Sequence, residues 1–360
     1  MLFIVIFSLF QSQEGFAGRK VQWQKFLNDT TMKPYNPTWR VQSAVVDNDN
    51  NIYLSSITNG WDSMVALITK VSPDGQILWR QTVFPIPNAN GYQTNHKGKL
   101  YIDIDSNIVY ISTGFDSLVQ ASPDSNGFFL LKKWTKNGTP INSFVDYLPD
   151  SCANIEDLTG IQILQNGDIY ISGTSDNYHN IDIICRKYDK NFNKLFSYRQ
   201  HQDLGTGILV NPSVIAIKDS LLNIAYSTDS NNFKNTYILQ INTSSGDTIW
   251  QNNIHQATYY PSPLQLEIMQ NSLYLVSNHL VKLNTSTGNI IAEDNLQYNP
   301  GNCIFDSTTS SIYSLHTSGA KAAQMTSRYD TNLVQQEIIP YPLWPYFMTK
   351  KDTVLSVLCP

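Results

Sequence analysis

The chain has 360 residues, with 24 Lys and Arg against 29 Asp and Glu and a formal net charge of -5. Charged residues make up only 15% of it, with no basic face or Lys/Arg run, which argues against a nucleic-acid footprint and a polybasic lipid anchor. Aromatics at 12% are too many for a disordered chain.

Residues 1–17 read as a signal peptide. The apolar run 2–10 has the length of an h-region, and Gly15 and Ala17 are small residues where a signal peptidase reads, although no Lys or Arg precedes the run. The competing reading of that run is a buried N-terminal strand. It is too short to cross a bilayer, and no other stretch approaches 18 apolar residues. A mature chain from Gly18 is therefore expected to be secreted, soluble and not inserted in a membrane.

Residues 20–26, with Trp23, resemble the return arm of a hairpin whose first arm is missing. Complete units follow. The first has strands at 41–46 and 51–56, a loop containing Trp61 and Asp62, then the hairpin of 65–82. In that hairpin Pro73 presets φ, Asp74 can bond its own backbone and Gly75 supplies a positive φ. Val, Ile, Leu and Trp79 flank the turn in short runs, which favours strands. The second unit is 100–104, 108–112, 128–134 and 141–144; the third is 160–164, 168–173, 181–188 and 195–198. The fourth runs 214–217, 222–227, 236–241 and 248–251; the fifth 264–269, 272–276, 280–283 and 290–292. The sixth is 303–306, 311–315, 324–329 and 334–339, and only 345–349 and 353–357 remain.

The hairpin recurs along the chain. Gly246 to Trp250 repeats the spacing of Gly75 to Trp79, and turns at Gly138 and Gly288 repeat the glycine. Degenerate copies begin at Tyr188 and Tyr329, where Asn191 and Asn332 are expected to take the left-handed conformation. The repeat length of roughly 40 to 60 residues is that of propeller blades. The expected fold is all-β: a β-propeller of seven blades, each a four-stranded antiparallel sheet, forming one domain over 18–360. The N-terminal strand around Trp23 is expected to close the ring beside two C-terminal strands, because an open ring exposes two sheet edges. The last blade is then incomplete.

Residues 51–79 and 167–191, with the Gly-to-Trp spacing, resemble the repeats of PQQ-like (quinoprotein-type) and SBBP-type β-propellers. The resemblance implies the scaffold. It does not bring the quinone site, since quinoprotein enzymes pair adjacent cysteines with calcium ligands and this chain has no adjacent cysteines.

The four cysteines, Cys152, Cys185, Cys303 and Cys359, form no CxxC pair. Pairings of Cys152 with Cys185 and of Cys303 with Cys359 would link neighbouring repeats; a free core thiol at Cys185 is the alternative. Asn28, Asn137, Asn242 and Asn284 head glycosylation sequons. Asp47, Asp49 and Asn51, like Asp103, Asp105 and Asn107, alternate oxygen ligands as calcium loops do. They lack the later Gly and Glu and read better as Asx turns, so no metal is expected. The six histidines show no metal-binding spacing, no nucleophile elbow occurs, and Glu156–Asp157 and Glu293–Asp294 read as solvated pairs. No catalytic residue and no cofactor is expected.

The functional reading is a face. Loops between second and third strands, and between successive units, leave from one side of a propeller. Here they carry Trp61, Asp62, Phe115, Asp116, Tyr259, Tyr260 and Trp344. Aromatics beside acids and amides suit sugar stacking or peptide docking. The expectation is a secreted, non-catalytic protein binding glycan or protein ligands through this face. The alternative is an enzyme (hydrolase, lyase or quinone-dependent oxidoreductase) with its site at the central channel. A third reading is a structural fragment of a longer ectodomain.

Overall fold

A computed structural model describes residues 4–8, 23–26, 39–58, 66–83, 98–115, 127–148, 154–177, 180–202, 209–230, 233–257, 264–277, 279–295, 303–318, 323–340, 347–351 and 354–359. Among these, every regular element is a β-strand.

The chain begins with β1 (Ile4–Ser8) and β2 (Trp23–Phe26). Six four-stranded antiparallel sheets follow, each made of four consecutive strands. Sheet 1 is β3 (Trp39–Val46), β4 (Ile52–Thr58), β5 (Ala66–Val71) and β6 (Ile77–Thr82). Sheet 2 is β7 (Lys99–Ile102), β8 (Ile108–Phe115), β9 (Gly127–Trp134) and β10 (Pro140–Tyr147). Sheet 3 is β11 (Asn154–Ile163), β12 (Ile169–Asn177), β13 (Asn180–Tyr188) and β14 (Lys194–Gln202). Sheet 4 is β15 (Leu209–Lys218), β16 (Leu221–Ser230), β17 (Phe233–Asn242) and β18 (Thr248–Ala257). Sheet 5 is β19 (Gln265–Met269), β20 (Ser272–Val276), β21 (His279–Asn284) and β22 (Ile290–Asn295). Sheet 6 is β23 (Cys303–Asp306), β24 (Ser311–Ser318), β25 (Ala323–Asp330) and β26 (Gln335–Pro340). The chain ends with β27 (Phe347–Lys351) and β28 (Val354–Cys359), which join the first two strands in the order β2-β1-β28-β27. This all-β array of repeated sheets is propeller-like.

In the full chain the terminal sheet takes two N-terminal strands: β1, within the run read as a signal peptide, lies between β2 and β28, pairing Phe7 with Leu358 and with Trp23. An apolar run of Ile, Val and Phe suits a strand as well as an h-region, and a sheet with an unpaired edge recruits it.

Contacts divide the chain into two compact units. One holds Lys33–Ser213 with Thr228–Asn231; the other holds Leu2–Met32, Val214–Ser227 and Asn232–Pro360. Within each, the core lies between successive sheets. In the first, Tyr53, Ile68, Tyr110 and Phe128 pack sheet 1 on sheet 2, and Ile111, Phe129, Ile171 and Tyr188 pack sheet 2 on sheet 3. In the second, Ile238, Leu273 and Val281 join sheet 4 to sheet 5, and Tyr274, Cys303, Ile312 and Leu333 join sheet 5 to sheet 6. Sheet 2 therefore has a packed sheet on each side, which is why β9 is buried almost along its whole length; β5, in sheet 1, is buried throughout.

One turn geometry joins most hairpins. At 47–51, 72–76, 103–107, 135–139, 164–168, 189–193 and 330–334, the fourth residue donates its N–H to the first carbonyl and takes a positive φ. This is a type I turn with a bulge, which places the left-handed residue fourth. Gly75 and Gly138 fill that place as expected, and Gly167 fills it in sheet 3. In the degenerate copies the structure corrects the assignment by one residue: Phe192 (φ 70°) and Leu333 (φ 63°) are left-handed, not Asn191 and Asn332. Asp189 and Asp330 open these turns, and each Oδ1 accepts the N–H two residues on, so the asparagine occupies the third place. Phe192 and Leu333 are buried in the cores between sheets, which offsets the left-handed strain of roughly 1–2 kcal/mol.

Candidate functional site

Each sheet is an antiparallel meander, so its two ends differ. The first-to-second and third-to-fourth connections turn at one end. The second-to-third connection and the link to the next sheet leave from the other. The first end is the tight-hairpin end. The second feeds the chain at 59–65, 84–97, 116–126, 258–263 and 341–346.

Every residue of the expected binding face belongs to this second end by chain position. Trp61, Asp62, Asp116, Tyr259, Tyr260 and Trp344 lie outside the described residues. Phe115 is the last residue of β8 and pairs with Gly127, the first of β9. The structure thus fixes the stems from which these side chains depart. Of the seven, Phe115 alone lies among the described residues.

Charged pairs do stand near the same end. Asp182, buried near the start of β13, accepts 2.8 Å from Nε of Arg199 on β14, with Nη2 bonding the same carboxylate oxygen. His279, the first residue of β21, lies with Nδ1 2.7 Å from a carboxylate oxygen of Glu293 on β22.

At the tight-hairpin end the Asx reading holds. Asp47 Oδ1 accepts the N–H groups of Asp49 and Asn51 at 2.9 and 2.8 Å, and Oδ2 accepts from Asn51 Nδ2 and Tyr53 Oη at 2.9 Å. Burial raises the Asp47 pKa, but the bonds from Asn51, Tyr53 and the Asp49 backbone outweigh it and hold the carboxyl below its ordinary value. Asp103 repeats the turn, and its Oδ2 lies 2.8 Å from Lys133 Nζ. These carboxylates are engaged by donors of the chain itself.

The sequence reading missed a set of latches between sheets. Lys70 on β5 donates 2.9 Å to the carbonyl of Lys136, in the β9–β10 turn of the next sheet, and Trp79 Nε1 donates 3.1 Å to the same oxygen. Lys133 on β9 reaches the carbonyl of Lys190 in the β13–β14 turn at 2.5 Å. Gln240 on β17 reaches that of Thr285 at 3.0 Å, and Lys282 on β21 meets Asn332 Oδ1 at 3.5 Å. The tryptophans dock beside them: a Cβ added to Gly138 would stand 3.0 Å from the Trp79 ring, and one added to Gly288 would stand 2.5 Å from that of Trp250. The signal in the sequence was a Lys or Gln one residue before the apolar end of the third strand in sheets 1, 2, 4 and 5.

A second buried cluster links sheets 2 and 3. Asp146 accepts from Tyr188 Oη at 2.6 Å and from Lys194 Nζ at 3.0 Å, with Arg186 Nε at 3.6 Å. Burial and then the Asp146 charge push the Tyr188 phenol far up, so it is a fixed donor. Cys185 and Cys303 are free, buried thiols, so neither takes the disulfide weighed for it. Burial pushes both up to about 12, where a thiol is no nucleophile. Cys152 lies outside the described residues.

Glu267 is perturbed in the other direction from Asp47. It sits on β19 opposite Tyr274, and burial raises its carboxyl to about 7. Among the described residues no group of His, Cys, Asp and Glu is arranged to hold a metal ion, and no helix is long and apolar enough to cross a membrane.

No protein-family profile matches the chain, and no curated protein matches its sequence. Solved structures do match its fold. One, titled "Crystal Structure of Mitotic Checkpoint Complex", has a TM-score of 0.50 at 11% identity, over 89% of this chain and 86% of the other. Another, a functionally unknown protein from Desulfotomaculum acetoxidans, has a TM-score of 0.45 at 14% identity, over 78% of each chain. At such identity the first match speaks for the propeller-like fold alone.

Proposed function

We propose that the protein is a secreted, non-catalytic β-propeller that binds a glycan or a protein ligand through the sheet ends opposite its tight hairpins. The observation that carries this reading is the contrast between the two ends. Tight hairpins close one end, with the Asp47 and Asp103 carboxylates bonded within their own turns. The other feeds the longer connections that carry Trp61, Phe115, Tyr259, Tyr260 and Trp344. Large aromatics on a rigid scaffold give contact area at low entropic cost.

In this reading the six consecutive sheets are blades and the terminal sheet is a seventh that closes the ring. The docking of Trp79 on Gly138 and of Trp250 on Gly288 supports a quinoprotein-type repeat. Cleavage after Ala17 removes β1, and β2 then takes its place against β28. N-terminal sequencing of the exported protein tests that step: a start at Met1 rejects it. Glycan-array and peptide pull-down binding, compared with Trp61→Ala and Trp344→Ala, tests the face. Binding unchanged in both variants rejects it.

One observation favours an enzyme instead: a carboxyl held protonated to about 7, Glu267, is suited to general acid work. Hydrolase or lyase turnover abolished by Glu267→Gln, with folding intact, would establish that reading.

A further inference from the structure

The sequence presents four equal sequons; the structure separates them. Asn137 and Asn284 are exposed in third-to-fourth-strand turns, and so are the hydroxyl residues Thr139 and Ser286 two places on. Asn242 is half-buried in the matching turn of sheet 4, and Asn28 lies outside the described residues. We infer that Asn137 and Asn284 carry N-linked glycans and that these cover the apolar outer edges of sheets 2 and 5. The inference rests on the secretion proposed above.

Three observations support it. First, both turns are held rigid from the preceding sheet, through the Lys136 carbonyl by Lys70 and Trp79, and through the Thr285 and Thr287 carbonyls by Gln240 and Asn252. Second, the attachment atom is spare. Asn284 spends Oδ1 on the N–H groups of Ser286 and Thr287, which leaves Nδ2 for the sugar. Asn137 has no side-chain hydrogen bond among the described residues, its backbone N–H alone bonding Thr135 Oγ1. Third, the strand leaving each turn is a sheet edge bearing an exposed aliphatic: Ile141 at 49% on β10 and Ile291 at 54% on β22. Apolar edge strands pair with other chains unless something blocks them, and a bulky polar glycan blocks them.

The chemistry needs a lipid-diphosphate-linked oligosaccharide and its transferase. Nδ2 attacks the anomeric carbon, the carbon–oxygen bond to the diphosphate breaks, and the lipid diphosphate leaves with that electron pair. The amide proton passes to a base of the transferase.

The test expresses residues 18–360 behind a heterologous cleavable leader and a short N-terminal reporter sequon, so that only translocated chains are scored. Enzymatic deglycosylation converts each glycan-bearing Asn to Asp, and peptide mass reads the sites. Glycans at both Asn137 and Asn284 are expected, each lost in its Asn→Gln variant. Absence of either from chains whose reporter is glycosylated overturns the inference. The Asn137→Gln/Asn284→Gln variant should self-associate several-fold more by light scattering, and Ile141→Lys/Ile291→Lys should reverse this. A double variant that stays monodisperse overturns the covering role. The same chain with its own residues 1–17 separates the two readings: if only the heterologous leader yields glycans, secretion fails while the sites stand.

Discussion

Replacing Gly288 by Ala tests the tryptophan latch directly. The residue has φ +71°, and a Cβ there would stand 2.5 Å from Trp250 Cζ3 and 2.6 Å from Asn252 Nδ2. A left-handed alanine costs roughly 1–2 kcal/mol, and overpacking a filled site adds about 1–3 kcal/mol. The lower entropy of the unfolded alanine chain returns about 0.4–1 kcal/mol to the variant's side of the balance. The net expectation is a loss of about 2–4 kcal/mol, a large share of an ordinary stability of about 5–15 kcal/mol. Gly246 is the internal control: its φ is +82°, but nothing lies within 4 Å of an added Cβ. Gly246→Ala should cost only the backbone strain, about 1 kcal/mol. Gly138, with the Trp79 ring at 3.0 Å, falls between. Urea unfolding read by tryptophan fluorescence should rank the midpoints Gly246→Ala above Gly138→Ala above Gly288→Ala. Trp250→Leu should relieve part of the Gly288→Ala loss in a double-mutant cycle. Equal losses for Gly246→Ala and Gly288→Ala would refute the claim that tryptophan packing, rather than backbone conformation, fixes these glycines.

Lys133 and Asp103 are an ion pair with side chains only 6% and 3% exposed. Lys133→Met should destabilise by about 3–5 kcal/mol in urea, and Asp103→Asn should recover much of that loss in the double variant, because the cost is the stranded carboxylate. Phe192→Gly relieves the left-handed backbone but empties a core site, so a net loss of about 2 kcal/mol is expected. Gain of stability would show that strain, not burial, dominates that turn. The Glu267 carboxyl keeps its proton to about 7 in the folded chain, while an unfolded glutamate releases it near its ordinary value of about 4.3. Between these the folded state binds more protons, so the stabilisation is complete below the lower value and is lost as pH rises through the upper one. Urea midpoints measured from about pH 5 to about pH 8 should fall, by a few kcal/mol at most in free energy, and Glu267→Gln should flatten that slope. An unchanged slope in the variant would place its cause elsewhere.

The hairpins were legible because their turns state their chemistry: Gly75 and Gly138 occupy left-handed positions as read. The same logic slipped by one residue at Phe192 and Leu333. Amino-acid preference pointed to the asparagine, while the bulged turn opened by an aspartate counts four places regardless of side chain. Strand order was legible from apolar runs, while residues 4–8 stayed open between a signal-peptide core and a strand, which have the same composition. Lys70 and Lys133 went unread, because a lysine in a strand gives no hint of a carbonyl more than fifty residues away. The binding face rested on loop position alone. The structure places only the stems of those loops, with Phe115 at the end of one.

The latches at Lys136, Lys190 and Thr285 share a further property: the group they grip is a main-chain oxygen. Every residue type carries one. The gripped residue of a turn can therefore change its side chain and still be held by the sheet before it, while the left-handed glycine packed on a tryptophan cannot. An architecture shared at 11% identity, in a chain that no family profile matches, is what that kind of joint permits.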